Sequence, residues 1–330
     1  MIPELRLLLE AELGPDWERE VKVDSVEVVG SGCCAQVYRG HLTDGSQVAV
    51  KVLHPGIVSS TALDLALIRF LVTSLNTLCP SLAWLNLEAA VAEFQALLEA
   101  QLDLRTEVAN LLRFRENFSS VGSVSFPRPV VRLCSRSVLV EDWVEGDSIQ
   151  NYLSTTDSQL KASLAETGVD MLLKMVFVDN FWHGDLHPGN ILVTKEGKLA
   201  VVDAGIAGSL SVADRKNIVD TFTAILAGDG TKVGQLFLER SYHQCEDQQA
   251  FIEDIRDIVL EARSSQLSLD KVDLPSLLQA VFTSLIKHKV RLDANFSSVI
   301  ISIAIVEGLG RALNPNLDLV PKTLPYLIKS

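Results

Sequence analysis

His183-Gly184-Asp185-Leu186-His187-Pro188-Gly189-Asn190, followed after a short interval by Val201-Val202-Asp203-Ala204-Gly205, is the part of this chain whose reading decides its fold. In the interval, Ile191-Leu192-Val193 and Leu199-Ala200-Val201-Val202 read as two short apolar strands joined by the turn Lys195-Glu196-Gly197-Lys198. Such a hairpin brings Asn190, at the entrance of one strand, beside Asp203, at the exit of the other. Both then offer hard oxygen atoms at the same end, the donor type that magnesium selects. Asp185, five residues before Asn190, is spaced to accept or orient a proton on an attacking group. An aspartate, an asparagine and a second aspartate in an Asp-x-Gly turn form the minimum set for handling magnesium and a nucleoside triphosphate such as ATP. His183 is expected to brace this loop, and His187 and Pro188 to shape the backbone before Asn190.

Outward toward the N-terminus, Val26 to Val52 alternates and is rich in valine, with turns at Gly30-Ser31-Gly32 and Thr43-Asp44-Gly45. It reads as three antiparallel strands. Gly30-Ser31-Gly32-Cys33-Cys34-Ala35-Gln36-Val37 falls in the register of a glycine-rich phosphate loop, with alanine at its last small position; glycines let backbone N–H donors approach phosphate closely. One hairpin later comes Val48-Ala49-Val50-Lys51, whose lysine is placed to contact the α- and β-phosphates. The nucleotide-binding set is therefore Gly30, Ser31, Gly32, Cys33, Cys34, Ala35, Val37, Ala49 and Lys51, with backbone groups of Glu141 to Trp143 offered to the adenine edge. The adjacent cysteines are read as small residues filling a tight turn, and Trp143 as a packing residue. Lys51 needs an acidic partner. Glu107 shares a helical side with Leu104 and Leu111, and a charge flanked by core residues is costly unless paired; Glu99 is its competitor.

Residues 57–79 and 88–118 read as helices, 130–133 and 137–140 as strands, and 141–147 as a connector. From residue 158 the chain reads as helical apart from the hairpin, with pieces at 158–179, 212–227, 231–240, 248–265, 274–289 and 296–313. The expected fold is α+β and bilobal, protein-kinase-like: residues 1–143 as a small, mostly β N-lobe with helices, and 144–330 as a larger helical C-lobe carrying the catalytic loop and the metal-binding hairpin. The nucleotide is expected in the cleft between lobes.

Composition narrows the partners. The 330 residues carry a net charge of −13, and the pI is near 4.9, which argues against nucleic acid. A hydrophobic content of 48% admits a membrane lipid surface or a helix-rich core. Five cysteines without C-x-x-C spacing fit a reducing interior and neither disulfides nor zinc. No secretory signal or Arg-rich transit peptide is read at the start. Ala62 to Leu85 is the longest apolar stretch and reads as a buried or interfacial helix; Val299 to Val306 reads as too short to cross a bilayer.

Several of these runs together resemble the UbiB family, the aarF-domain-containing kinases. They are Cys34-Ala35-Gln36-Val37-Tyr38 through Val48 to Gly56, Leu102 to Asn110, His183 to Asn190, and Val306 to Leu313. The resemblance covers about residues 20 to 320. It implies an atypical kinase or ATPase tied to ubiquinone (coenzyme Q) biosynthesis, usually mitochondrial in eukaryotes, with quinone-biosynthesis proteins and membrane lipid as partners. On matching positions it implies a Lys51–Glu107 ion pair, Asp185 as the catalytic-loop aspartate, and Asn190 and Asp203 as magnesium ligands. The chain departs from the family in three ways. Its nucleotide loop is Gly30-Ser31-Gly32-Cys33 instead of alanine-rich, Gln101 stands where the helix motif opens with an acid, and it starts downstream of the family's Lys-x-Gly-Gln extension, as a truncated form would. No Ala-Pro-Glu segment follows Asp203, so protein kinase activity ranks below ATPase or small-molecule kinase activity. Two alternatives stay open: a kinase of the choline or aminoglycoside type, whose catalytic loops are similar, and a pseudokinase scaffold, motivated by Gln101 and Ala204.

Overall fold

The computed structural model describes residues 3–79, 85–239, 241–243, 245–264, 274–292, 294–315, 317, 322–323 and 325–327. In chain order its helices are α1 Pro3–Leu13, α2 Ile57–Leu78, α3 Leu87–Gln101, α4 Leu104–Asn117, α5 Ser158–Leu173, α6 Val212–Ala227, α7 Gly230–Glu239, α8 Gln248–Ser264, α9 Leu274–Lys287 and α10 Ala294–Leu313. Its strands are β1 Val21–Ser31, β2 Ala35–Leu42, β3 Gln47–Leu53, β4 Val124–Ser125, β5 Val138–Asp142, β6 Gly146–Ser148, β7 Trp182–His183, β8 Ile191–Thr194, β9 Leu199–Val201, β10 Ala207–Gly208, β11 Ser241–His243 and β12 Val290–Leu292. The chain divides into two compact units: Met1–Pro80 with Asn86–Ser148 and Gly189–Ile206, and Ser81–Leu85 with Ile149–Pro188 and Ala207–Ser330.

The first unit is built on an antiparallel sheet in the order β1-β2-β3-β5. Period-two alternation sorts its side chains. Val48, Val50 and Val52 of β3 and Val138 and Val140 of β5 share one face, and they form a core with Leu9 of α1 and with Trp17. Ala49 and Lys51 take the other face, paired in register with Glu141 and Leu139. A second sheet, β4-β9-β8-β6, belongs to the same unit. The boundary drawn after residue 143 differs from this division, because β9 pairs with β4 and β8 with β6, which ties the hairpin to the N-terminal segments.

The single helix expected over 88–118 is two helices. Asp103 adopts an extended conformation and its carboxylate accepts from the Arg105 N–H, capping α4 and ending the previous helix at Gln101. The strand expected at 130–133 is a 3₁₀ turn, Val131–Leu133. The Val130 N–H still donates to the Val140 carbonyl, but the N–H groups of Leu133 and Cys134 bond back to the Val130 and Val131 carbonyls and curl the segment. The connector at 141–147 contains the end of β5 and the start of β6. Helix α2 is not buried: only 6% of its apolar window is, and Leu63, Phe70 and Leu78 are 73%, 69% and 78% exposed.

In the second unit α10 packs on α5, and α7 packs on both α6 and α8. Helix α5 ends in a π-helical turn, Lys174–Val178, closed by the Lys174–Asp179 ion pair at 2.6 Å. The short apolar run read at 299–306 belongs to a longer helix, and Phe296–Leu313 is long and apolar enough to span a membrane by length and composition. Half of it is buried inside the fold, as a core helix would be. Strands β7 and β10 pair so closely that a Cβ on Gly208 would lie 2.4 Å from the Trp182 ring, so only glycine fits.

Candidate functional site

Three elements of the first unit meet at the Lys51 ammonium. Lys51 ends the alternating part of β3, and its Nζ donates to Glu107 Oε1 at 3.0 Å and Oε2 at 2.8 Å. The same nitrogen lies 2.9 Å from Asp203 Oδ1. Glu107 is presented from the first turn of α4, on a face it shares with the buried Leu104, Val108 and Leu111. Glu99, the competitor, is exposed on α3 and accepts from Gln95. Burial pulls the Lys51 pKa down, but the Glu107 and Asp203 carboxylates outweigh it and the net shift is upward, so the amine stays charged. Burial pushes the Glu107 carboxyl up, and the Lys51 charge opposes that.

The Asp-x-Gly turn is fastened to α4 from below. Asn110, one helical turn beyond Glu107, donates to the Ala204 carbonyl at 2.8 Å, and the Gly205 N–H donates back to Asp203 Oδ1 at 3.4 Å. Asp203 itself has φ +59, a left-handed conformation that costs a non-glycine residue about 1–3 kcal/mol. The ion pair with Lys51 and the Asn110 bond hold it there. The hairpin forms as its sequence implies: Ile191 pairs with Val201, and the Val202 N–H donates to the Asn190 carbonyl at 2.9 Å, which sets Asn190 beside the Asp203 turn. Asn190 is buried and the Asp203 side chain is 50% exposed.

Gly30 and Ser31 end β1, opposite Val37 and Gln36 of β2, and the Gly32 N–H closes the turn on the Ala35 carbonyl at 2.9 Å. His54 anchors this turn: its ring nitrogen lies 3.1 Å from the Gly32 carbonyl and its N–H donates to the Cys34 carbonyl at 2.8 Å. Added Cβ atoms on Gly30 and Gly32 would meet nothing closer than 3.7 Å and 3.9 Å, so the fold itself does not demand glycine at either place. Cys33 and Cys34 bring their sulfurs to 3.5 Å, and burial and the Cys33 contact push the Cys34 thiol up to about 11, away from thiolate chemistry.

The Arg39 guanidinium carbon lies over the Trp143 ring, 4.8 Å from the ring centroid, and the Trp143 backbone N–H donates to the Gln47 carbonyl. The Asp142 N–H donates to the Arg128 carbonyl. Glu141 turns its side chain to the Lys51 face and is 7% exposed. Burial, then Glu107, push its carboxyl up to about 8.

Asp185 belongs to the second unit. Its N–H donates to Nδ1 of the fully buried His183, the bracing role expected of that histidine, and its carbonyl accepts from the His187 N–H. The Asp185 carboxylate is exposed and lies 4.0 Å from His187 Nε2. Sequence reasoning assigned no role to Asn110 or His54, although both stand inside the distinctive runs; their tasks are bonds to backbone far along the chain, which no local pattern signals.

A fold in which a β-strand lysine is locked to a helix glutamate and to the aspartate of an Asp-x-Gly turn is a kinase-like one. Residues 2–237 match the ABC1 atypical kinase-like domain, and the chain belongs to that family. A mitochondrial ABC1 family protein of Saccharomyces cerevisiae is 30% identical over 384 residues, an alignment covering 93% of this chain and 58% of the yeast protein. The "Probable protein kinase UbiB" of Shewanella woodyi is 28% identical over 98% of this chain and 60% of its own length. The chain thus spans about three fifths of these two relatives. Among solved structures, the complex of Rv3197 with erythromycin from Mycobacterium tuberculosis has the same fold, with TM-score 0.70 at 19% identity, covering 94% of this chain and 78% of that one.

Proposed function

We propose that this chain binds Mg-ATP and transfers or hydrolyses its γ-phosphate, in support of ubiquinone or related lipid metabolism. The observation that carries the reading is the Lys51–Glu107–Asp203 cluster, an ammonium within 3.0 Å of two carboxylates, beside a hairpin whose glycines the fold does not itself require. In this reading Lys51 holds the α- and β-phosphates and Glu107 holds Lys51. The turn at Gly30 to Ala35 presents N–H groups close to phosphate, and Asp185 orients the attacking oxygen and takes its proton.

The residues suit magnesium. Asn190 and Asp203 supply hard oxygens, and the described residues hold no cluster of three or more His, Cys, Asp or Glu side chains that would make a self-sufficient metal cage. A two-residue partial site completed by phosphate and water oxygens is the habit of magnesium. When bound, the ion would neutralise charge on the phosphates.

A mitochondrial, membrane-associated setting is part of this reading, supported by the mitochondrial description of the yeast relative and by the exposed apolar face of α2. Purified protein carrying Asp203→Asn should lose magnesium-dependent ATP binding by calorimetry, while Asp185→Asn should bind ATP and lose turnover in the presence of phenolic quinone precursors. Unchanged ATP affinity in Asp203→Asn would move the reading to a lipid- or complex-binding scaffold; turnover with amino alcohols in place of phenols would move it to a small-molecule kinase.

A further inference from the structure

Cys33 and Cys34 stand side by side in the turn between β1 and β2, and their sulfurs lie 3.5 Å apart. Both thiols are free, and Cys33 is exposed while the other four cysteines are partly covered. A disulfide holds its sulfurs about 2 Å apart, so the pair needs to close by only about 1.5 Å. Cys134, by contrast, spends its thiol on the Val130 and Val140 carbonyls, at 3.4 Å and 3.5 Å.

A bridge between these neighbours would not be a structural staple. Adjacent Cα atoms lie about 3.8 Å apart, below the range of about 4.4–6.8 Å that ordinary disulfides span, so the small ring is strained. Strain makes a bridge easy to reduce, the property of a regulatory disulfide. The turn decides where that strain goes. His54 pins the carbonyls on both sides: its ring nitrogen lies 3.1 Å from the Gly32 carbonyl, and its backbone N–H donates to the Cys34 carbonyl at 2.8 Å. The Gly32 N–H is held in turn by the Ala35 carbonyl. Twisting the Cys33–Cys34 peptide between these fixed points pulls against those bonds. The pair also stands near the lysine cluster, since the charges of Lys51 and Asp203 both act on the Cys34 thiol.

We propose that Cys33 and Cys34 form an oxidation site, closed to a vicinal disulfide by a low-molecular-weight peroxide, which withdraws the turn from the nucleotide phosphates until a thiol reductant reopens it. The control of binding rests on the nucleotide-binding reading; the oxidation does not. The exposed Cys33 sulfur attacks one peroxide oxygen, the O–O bond breaks, and Cys33 becomes a sulfenic acid as water leaves. The Cys34 sulfur then attacks the Cys33 sulfur, the S–O bond breaks, and the departing hydroxide takes the Cys34 proton as a second water. The two thiols have lost two electrons and the peroxide has gained them. Burial and the Cys33 contact keep the Cys34 thiol protonated, so Cys34 resolves the sulfenic acid instead of reacting first. Its contact with Cys33 makes that step intramolecular.

The test treats the reduced full chain with hydrogen peroxide and reads intact mass, alkylation and magnesium-ATP affinity by calorimetry. Wild type should lose about 2 Da, the two thiol hydrogens, and peptide mapping should find Cys33 and Cys34 closed to alkylation until dithiothreitol is added. Its ATP affinity should fall about tenfold on oxidation and return on reduction. Cys33→Ser should not lose those hydrogens, and whatever its own affinity, peroxide should change it less than about twofold. An unchanged mass, a bridge to another cysteine, or oxygen added to Cys33 while Cys34 stays open to alkylation would overturn the proposal. So would a closed bridge that leaves ATP affinity within about twofold of the reduced protein. Reduced wild type that binds no ATP would remove the nucleotide reading and the control of binding together, whereas a missing bridge in protein that binds ATP would sink this inference alone.

Discussion

At the scale of single residues the chain concentrates its electrostatic risk on one ammonium. Lys51 answers the nearly fully buried Glu107 and the half-exposed Asp203, and replacing it with methionine would strand the Glu107 charge in the interior. Lys51→Met should therefore lose about 3–5 kcal/mol in urea unfolding, and adding Glu107→Leu should recover much of it, because the second change removes the uncompensated charge. Glu141 gives a pH signature. Its folded pKa is raised from the ordinary 4.5 to about 8, chiefly by burial and then by Glu107, so between those values the folded chain holds a proton that the unfolded chain releases. Stability must then fall as pH rises from about 4.5 to about 8. Melting temperatures taken between about pH 5 and about pH 8.5 should decline less steeply in Glu141→Gln than in wild type; parallel curves would show that the raised carboxyl is not the source.

Among the elements, α4 matters beyond its length. It delivers Glu107 and Asn110 to one face, and its start is set by Asp103, whose carboxylate caps the helix and also receives the Arg105 guanidinium at 2.8 and 2.5 Å. In the resemblance this aspartate belongs to an acidic motif; in the fold its observed task is to cap. Asp103→Ala should cost about 1 kcal/mol of stability, and ATP affinity should weaken in parallel because the helix that orients Lys51 starts less firmly. Affinity lost with no change in the unfolding midpoint would point to a direct ligand contact instead. The element-level misreadings have a common cause. The apolar period over 88–118 runs through Leu102 without interruption, while the break depends on one side chain bonding its own backbone at Asp103. Phe126-Pro127-Arg128-Pro129 marks a boundary in sequence, yet it does not tell whether Val131 to Leu133 pairs with a neighbour or curls into a 3₁₀ turn.

Across the whole molecule, the exposed face of α2 is the feature with least explanation inside the fold. Leu63, Leu67, Phe70 and Leu71 are each more than half exposed, an arrangement that suits a lipid surface better than water. Leu67→Glu together with Phe70→Glu should cut co-flotation with vesicles of mitochondrial lipid composition several-fold and leave the melting temperature nearly unchanged; unaltered flotation would place membrane contact elsewhere. The amino-acid sequence by itself determined the kinase-like class and the hairpin that carries Asn190 and Asp203, and it named Glu107, with Glu99 as competitor, as the partner of Lys51. Each of these is written in short-range spacing or in the flanking of one charge by core residues. Tertiary structure alone decided that the hairpin belongs with the N-terminal sheet, that Asn110 and His54 tie down the two turns, and that Glu141 is buried with an oxygen unmet. Those facts arise from strand register and from bonds between residues far apart in the chain, and a burial cost exists only once the surrounding groups have closed around the side chain.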